Sequence, residues 1–284
     1  MSLVVNTNIA SLNAQVNLSR NQNALQTTLQ RLSSGLRVNS AKDDAAGLAV
    51  AETFTSQIRG NTQAQRNAND GISLGQTAEG SLGSVAGNLQ RIRELAVQSA
   101  NGTVSNGNRS QLQQEVDQLT QEVSRIVQTT TFNGTNLLSG ASTLTFQVGA
   151  DGVASNQVNV TTTNLAASGS GGLYTYNSSL TATGTVDLTT QASASAALAN
   201  LDSDINRVST TRSTFGAVQN RFEAVISNLQ NYVTNLSASR SRILDADFAA
   251  ETANLTRAQI LQQAGTAILS QANALPQSAL SLLR

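Results

Sequence analysis

The chain has 284 residues, 17 acidic and 17 basic side chains, and neither cysteine nor histidine. Zero net charge argues against nucleic acid or an anionic membrane as a partner. The missing residue types exclude disulfides, Cys–His nucleophile pairs and nearly all zinc sites, so we expect no cofactor and no metal. Charged residues make up 12% of the chain, against about 25% in typical soluble proteins, and aromatic residues 3%. This composition favours long helices packed side by side over a round core.

The first stretch predicts an amphipathic helix, because apolar residues recur every three or four positions: Val5, Ile9, Leu12, Val16, Leu25, Leu29, Leu32 and Leu36. The pattern ends near Gly35. Ser40 and Asp43 then have the spacing of a capping box, which predicts a second helical region over residues 42–100. Glycines inside that region, at positions 60, 71, 80 and 83, are unfavourable for one unbroken helix. A loop over 101–108 and a short helix ending at Gly134 should follow.

The apolar period changes to two at about residue 141. Leu144, Phe146 and Val148 alternate with polar residues, and Val158 and Val160 do the same after an Ala-Asp-Gly turn. This pattern predicts a β-hairpin over about 141–162. Residues 164–190 are rich in Gly, Ser and Thr, which predicts an irregular surface segment with short strands.

The most regular pattern follows the irregular segment. Apolar residues are spaced by seven without a miss at Leu201, Val208, Phe215, Phe222, Leu229 and Leu236. Such heptads predict a long helix in a coiled-coil-like bundle, antiparallel to the helices before the hairpin. The closing stretch predicts another amphipathic helix, with an apolar row at Leu261, Ile268, Leu275 and Leu282.

Together these patterns predict a mainly α fold: long antiparallel helices in a coiled-coil-like bundle, with a β-hairpin and a short irregular segment in the middle of the chain. The layout is nested, since terminal helices at 1–41 and 241–284 enclose a bundle domain at 42–240. Ordering the backbone costs roughly 1–2 kcal/mol per residue, and large apolar residues are sparse in both terminal stretches. Packed only against each other, the terminal helices would be marginal. We therefore expect them to be mobile in the monomer and ordered in an assembly.

Several long stretches of the sequence carry a resemblance to a known family. They are RLSSGLRVNSAKDDAAGLAVAETFTSQIRG at 31–60, QRNANDGISLGQTAEGSL at 65–82, LQRIRELAVQSANG at 89–102, FNGTNLL at 132–138, GAVQNRFEAVISNLQN at 216–231 and SRILDADFAAETANLTRAQILQQAGTAILSQAN at 241–273. These stretches closely resemble bacterial flagellins. The resemblance covers about residues 1–149 and 192–284, and long ordered matches of this kind are more specific than short motifs.

The resemblance implies a structural protein without enzymatic activity, which self-assembles into the flagellar filament for swimming. In that family the terminal helices form an inner tube around a central channel, surrounded by the inner helices and the hairpin. Longer members insert outer domains where this chain has only residues 164–187, so the chain is similar to a minimal flagellin. Members of that family are exported through the flagellar type III channel without a cleaved signal peptide, so the resemblance also implies an extracellular location. The implied partners are other copies of the chain, the filament cap, hook-junction proteins and an export chaperone.

Two groups of residues are candidate contact sites. Subunit packing should involve the apolar rows of the terminal helices, represented by Ile9, Leu12, Leu25, Leu29, Leu261, Ile268, Leu275 and Leu282. Arg91, Leu95 and Glu115 match the positions that, in the family, contact the flagellin-sensing Toll-like receptor of animals. A simpler interpretation is that these three are helix-surface residues used for subunit packing, and both interpretations can hold together.

Other charged residues have plainer interpretations. Lys42, Asp43 and Asp44 fit a helix start better than an acid–base cluster, because no pocket-forming pattern surrounds them. The charged residues at 240–247 form either a solvated junction or ion pairs between subunits.

Two alternative functions differ in class from the first. A hook–filament junction protein would share the helical termini, but the match to the final forty residues of flagellins disfavours it. A flagellin with a metalloprotease insertion would need a histidine-containing zinc motif, which a chain without histidine lacks.

Overall fold

The computed structural model describes the backbone of residues 7–167, 171–180 and 183–281, and side chains as far as residue 274. In chain order, the described elements are α1 (Ile9–Ser34), α2 (Ala45–Ala100), α3 (Asn106–Thr129), β1 (Thr131–Phe132), β2 (Thr135–Asn136), β3 (Thr143–Gln147), β4 (Gln157–Thr161), α4 (Gln191–Leu244) and α5 (Phe248–Ser281). The predicted fold class is confirmed. None of the described helices combines the length and the apolar character needed to cross a membrane.

Local side-chain chemistry sets the helix boundaries. The Asn8 side chain accepts a hydrogen bond from Ser11 N at the start of α1, and Gly35 ends that helix in the left-handed conformation, with φ of 72°. For α2 the capping residue is Asp44, whose carboxylate accepts a 2.8 Å hydrogen bond from Gly47 N. The predicted capping box at Ser40 and Asp43 is therefore wrong. The Asp43 carboxylate instead closes a turn before the helix by accepting from Ser40 N and Oγ, both at 2.9 Å.

The α2 helix runs unbroken for 56 residues, through the four glycines that were unfavourable for it. Two of them lie at close approaches: a Cβ at Gly60 would stand 2.9 Å from Ala150 Cβ, and one at Gly71 would stand 2.5 Å from the Phe222 ring. The other two, Gly80 and Gly83, face open space. Packing on one side therefore offsets the low helix propensity of glycine at the first pair.

Two small antiparallel strand pairs follow α3. The pair β3–β4 has the register Thr143↔Thr161 and Phe146↔Val158, which confirms the predicted hairpin. The pair β1–β2 is absent from the predicted elements, because the end of a helix at Gly134 is the only feature predicted for its segment. Its two-residue turn is Asn133-Gly134, with φ of 48° and 78°, and Asn-Gly is the sequence most favoured for such a turn.

The core of the bundle lies between α2, α3 and α4. The heptad row of α4 supplies Leu201, Val208, Phe215 and Phe222, all buried, among residues of α2 that include Leu82, Val85, Leu89 and Ile92. Ion pairs at the rim show that α2 and α4 are antiparallel: Arg93 Nε lies 2.6 Å from Asp202 Oδ1, and Arg212 NH2 lies 2.6 Å from Glu79 Oε1. The Phe222 ring also packs edge-on against Phe146 of β3, with ring centroids 5.3 Å apart.

The described part of residues 164–190 is irregular, as predicted, but it contains no strand and does not simply lie on the surface. Its apolar residues Leu165, Leu173, Val186 and Leu188 are buried in the bundle core. Side chains of α3 replace a sheet partner: Gln113 donates to Val186 O at 2.8 Å and accepts from Leu188 N at 2.6 Å. The prediction of a surface segment failed because isolated apolar residues in a Gly/Ser/Thr-rich stretch have no periodicity.

A buried carboxylate holds the same segment from α4. Asp204 accepts hydrogen bonds from Tyr174 N at 2.8 Å, and from Thr175 N and Oγ1 at 2.9 Å each. Burial raises the pKa of Asp204, and the three hydrogen bonds act against that rise. Asp204 therefore fixes residues 174–175 at the expense of a desolvated charge.

The chain divides into two compact units. One comprises Met1–Ile58 with Thr234–Arg284, and the other comprises Arg59–Val233. These limits fall inside α2 and α4. Of the two predicted domain limits, 41/42 falls in the break between α1 and α2, and 240/241 falls inside the last turns of α4. The assignment of residues 1–41 and 241–284 to an inner-tube domain stays a prediction.

Candidate functional site on the terminal helices

The helices α1 and α5 lie side by side in antiparallel order, joined by polar contacts. Asn8 Nδ2 donates to Ala272 O at 2.7 Å, near the start of α1. About halfway along, Asn21 Nδ2 donates to Ala258 O at 2.8 Å. Each asparagine amide thus bonds a main-chain carbonyl of the other helix, which fixes the alignment of the pair.

The buried residues of this seam are small or polar. On α1 they are Ser11 and Thr28, and on α5 they are Glu251, Ala258 and Ala272. Small side chains let two helix backbones approach closely. The seam consequently buries few of the large apolar residues that the sequence pattern singles out.

At the last turn of α1 the seam ends in an ion pair, and main-chain hydrogen bonds follow it. Arg31 NH1 lies 3.2 Å from Glu251 Oε1, and Glu251 is only 8% exposed. The chain segment that follows α1 then bonds to the end of α4, with Arg37 N donating to Leu244 O at 2.6 Å. The ends of the two terminal helices are thereby held together where the chain leaves them.

Several large apolar side chains of both helices remain exposed beside the seam. Exposed fractions are 61% for Ile9, 52% for Leu261 and 60% for Ile268, and Leu12 and Leu29 are exposed as well. Among the predicted packing residues, Leu25 is half-buried, the side chain of Leu275 is outside the described ones, and Leu282 lies beyond the described residues. Val16 of the predicted apolar row is exposed as well, and so are Phe248 and Ile260, which belong to no predicted row. Large apolar residues left exposed in this number on two neighbouring helices indicate an interaction site.

The three residues matched to receptor contacts separate in the structure. Arg91 and Glu115 are exposed and paired across α2 and α3, with Arg91 Nε 2.9 Å from Glu115 Oε1. The pKa of Arg91 is raised, mainly by this hydrogen bond to Glu115 and next by its hydrogen bond to Glu94. Leu95, in contrast, is 1% exposed and belongs to the bundle core. The interpretation of all three as surface residues is wrong for Leu95, because it continues the buried row of Leu89 and Ile92.

Three of the aspartates at the helix junctions, Asp43, Asp245 and Asp247, are engaged locally. Hydrogen bonds from Ser40 lower the pKa of Asp43, which fits the turn before α2. Asp245 accepts from Ser241 Oγ at 2.6 Å, and Asp247 accepts from Ala249 N at 2.9 Å as a cap of α5. Within the described residues, no group of three or more acidic side chains is arranged to hold a metal ion. Ion pairs between subunits at 240–247 stay a prediction.

Comparison with known proteins places the chain in a family. Residues 5–143 match the model of the bacterial flagellin N-terminal helical region, and residues 198–283 match that of the C-terminal helical region. The flagellin of Xenorhabdus nematophila is 45% identical, over 100% of both chains. The flagellin of Halalkalibacterium halodurans is 44% identical, over 99% of this chain and 100% of its own length.

A solved structure supports the same fold at lower identity. It is that of a protein assigned to the flagellar hook-associated class from Vibrio parahaemolyticus, with a TM-score of 0.59 and 15% identity, covering 72% of this chain and 100% of that one. At this identity the likeness concerns the fold alone. The full-length identities and the two matched family regions decide the membership: this chain belongs to the bacterial flagellin family.

Proposed function

We propose that the outward apolar rows of α1 and α5 are the surfaces by which this flagellin, a structural subunit of the extracellular flagellar filament, joins other copies of itself. The observation that carries the proposal is that the two terminal helices contact each other through one set of residues and leave another set exposed. Their mutual seam is made of small and polar residues, whereas Ile9, Leu261 and Ile268 are more than half exposed. A second copy is the partner whose surface offers matching helices.

The energetics favour burial of these rows in a polymer. Fully burying one Leu or Ile side chain stabilises by roughly 1.5–3 kcal/mol. Association itself costs an estimated 4–15 kcal/mol, so one or two such residues cannot hold two subunits together. Several residues on each helix, engaged on more than one neighbour, offset that cost. The low charge of α1 and α5 adds little repulsion between identical surfaces.

The test is to place a charge in the row. Ile268→Asp should give a folded monomer that does not elongate filament fragments, because an unpaired carboxylate would be buried in the contact. Val153→Asp is the matched control, since Val153 is 53% exposed on the loop between β3 and β4. Elongation of seeds is followed by electron microscopy, and the monomer fold by circular dichroism. Normal filaments from Ile268→Asp would refute the proposal.

The route to the filament is proposed from family membership. We expect export through the flagellar type III channel, with a chaperone before export and cap and hook-junction proteins at the growing end. Exposed apolar rows on both terminal helices give a chaperone a surface to cover. In cells that lack the filament cap, this flagellin should appear in the medium as monomer, and its retention inside such cells would contradict the route.

Recognition by the flagellin-sensing Toll-like receptor is proposed for the monomer. Its support is the exposed pair Arg91–Glu115, while Leu95 would contribute only through the packing beneath it. A receptor-reporter assay on monomers should show a loss of signal for Arg91→Ala. An unchanged response would remove Arg91 from the contact.

The alternative, a hook–filament junction protein, rests on the shared fold with the hook-associated protein. The number of copies per flagellum separates the two functions. A filament subunit is present in thousands of copies, and a junction protein in a few. Quantitative mass spectrometry of purified flagella makes this measurement.

A further inference from the structure

We propose that a polar cavity between α1 and α5 receives a carboxylate of a second copy, and that this carboxylate is Glu52. The inference deepens the proposed polymerisation and rests on it. It adds a specific charged contact to an interface that is otherwise apolar.

The cavity has a volume of about 390 Å³ and carries an excess of positive charge. Its lining includes two guanidinium groups, Arg31 and Arg257, and one carboxylate, Glu251. Thr28 and Asn254 add polar groups, and Leu261 of the exposed apolar row forms its edge. An anion is therefore the ligand whose charge matches the lining.

The guanidinium groups have unused donors. Arg31 gives NH1 to Glu251, but its Nε is buried and has no hydrogen-bond partner among the described residues. Arg257 reaches only Asn254 Oδ1, at a long 3.4 Å. The charge of Arg31 also acts on Asp43, but that carboxylate already accepts hydrogen bonds from Ser40 and Asn39. One carboxylate, Glu251, thus faces two guanidinium groups, and the charge of Arg257 stays available for a further acceptor.

No other carboxylate of the same two helices can supply it, because Glu251 is the only acidic residue in the described part of α1 and α5. The edge at Leu261 places the cavity beside the proposed contact with a second copy. Once that copy covers the edge, water leaves and an unpaired guanidinium becomes more costly. The acceptor therefore comes from the covering copy.

Four carboxylates in the described chain are exposed and have no hydrogen bond or ion pair: Glu52, Asp70, Asp151 and Glu223. When two copies pack through α1 and α5, the compact unit that contains these helices in one copy lies next to the same unit of the other copy. Only Glu52 of the four belongs to that unit, which comprises Met1–Ile58 with Thr234–Arg284. Charge complementarity and position thus select Glu52.

Charge reversal tests the contact. Arg257→Glu and Glu52→Arg should each raise the critical concentration for polymerisation by about 10-fold or more, as expected for a charge left unpaired at an interface. The double variant restores opposite charges and should polymerise within about 3-fold of the wild type. Arg20→Glu is the control, because Arg20 is an exposed arginine of α1 that does not line the cavity. Sedimentation of self-seeded filaments gives the critical concentrations, and circular dichroism verifies the fold.

Two results would overturn the inference: wild-type polymerisation by Arg257→Glu, or a double variant no better than the single ones. Failure of the wild-type protein to polymerise would instead refute the proposed function. Wild-type polymerisation with no effect of Arg257→Glu removes the cavity contact and leaves the apolar rows in place.

Discussion

Replacing Gly71 by alanine should destabilise the bundle, even though alanine is the better helix former. Gly71 is buried in α2, and a Cβ at this position would stand 2.5 Å from both Cε2 and Cζ of Phe222. Carbon atoms in contact are normally about 3.5–4.0 Å apart. The ring has little room to retreat, because Phe222 is fully buried and packs edge-on against Phe146, with an interplanar angle of 78°.

The balance of terms gives the magnitude. Gly→Ala in a helix interior gains about 0.8–1 kcal/mol. Overpacking a core costs about 1–3 kcal/mol, and loss of the edge-on ring contact about 0.5–1.5 kcal/mol. When the gain in helix propensity is set against the cost of overpacking and of the lost ring contact, Gly71→Ala should lower the free energy of unfolding by about 1–3 kcal/mol. For a unit of this size each kcal/mol lowers the Tm by about 2–4 °C.

Gly80→Ala is the matched control on the same helix. Outside the backbone of its own helix, no atom of the described residues lies within 4 Å of a Cβ at Gly80, so only the helix propensity changes. We expect a gain of about 0.5–1 kcal/mol. Urea unfolding of the monomer, followed by far-ultraviolet circular dichroism, measures both variants under one protocol. In a Phe222→Leu background the smaller side chain leaves room, so Gly71→Ala should then cost much less.

Gly71→Ala and Gly80→Ala must change the free energy of unfolding in opposite directions. If Gly71→Ala proves as stable as the wild type or more stable, the close approach to Phe222 does not limit packing at this site. A cost that is unchanged in the Phe222→Leu background would show that some other contact is responsible.

Two further predictions concern buried polar groups. Because the pKa of Asp204 is raised by burial, its ionisation opposes folding at neutral pH, and this penalty disappears as the pH falls through the raised pKa towards about 3.9. Relative to Asp204→Asn, the wild type should gain stability over that window, and urea unfolding across pH measures the difference. Arg109 donates to Ser99 O, Asn101 O and Asn106 Oδ1. Arg109→Lys keeps the charge but loses the planar guanidinium that makes these three hydrogen bonds. It should lower the free energy of unfolding by about 1–3 kcal/mol and speed amide hydrogen exchange at residues 101–105.

Periodicity predicted the parts of the fold whose environment repeats along the chain. The heptads from Leu201 to Phe222 identified the core face of α4, because each of these residues meets the same kind of neighbour. It could not sort the glycines of α2. Gly71 and Gly80 are identical residues in the same helix. Only the packing of α4 shows that Gly71 lies against Phe222 and that Gly80 faces open space.

Some missed features did leave a signal. The Asn133-Gly134 pair is a strong indication of a two-residue turn, and it predicts β1–β2 when given more weight than the end of the preceding helix. The spacing of Leu95 from Ile92 and Leu89 indicates a buried position. Other features left none: the burial of Val186 and Leu188 depends on hydrogen bonds from Gln113, a residue more than 70 positions away.

The candidate site was predicted in part. The apolar rows of the terminal helices were identified, and so was their need for a partner. The sequence could not indicate that α1 and α5 meet through Ser11, Thr28 and two alanines, because small residues are common on every face of both helices. The use of the apolar rows as packing surfaces between subunits stays a prediction.

The polar seam between α1 and α5 has a kinetic consequence. No large apolar side chain of α1 or α5 among the described ones is fully buried, so we expect a low free-energy barrier to separation of the pair. Closing is nevertheless selective, since sliding by one helical turn would part Ser11 from Asn273 and Arg31 from Glu251. The pair should therefore open and close repeatedly and still return to one alignment, because the polar contacts are satisfied in only one register of the two helices.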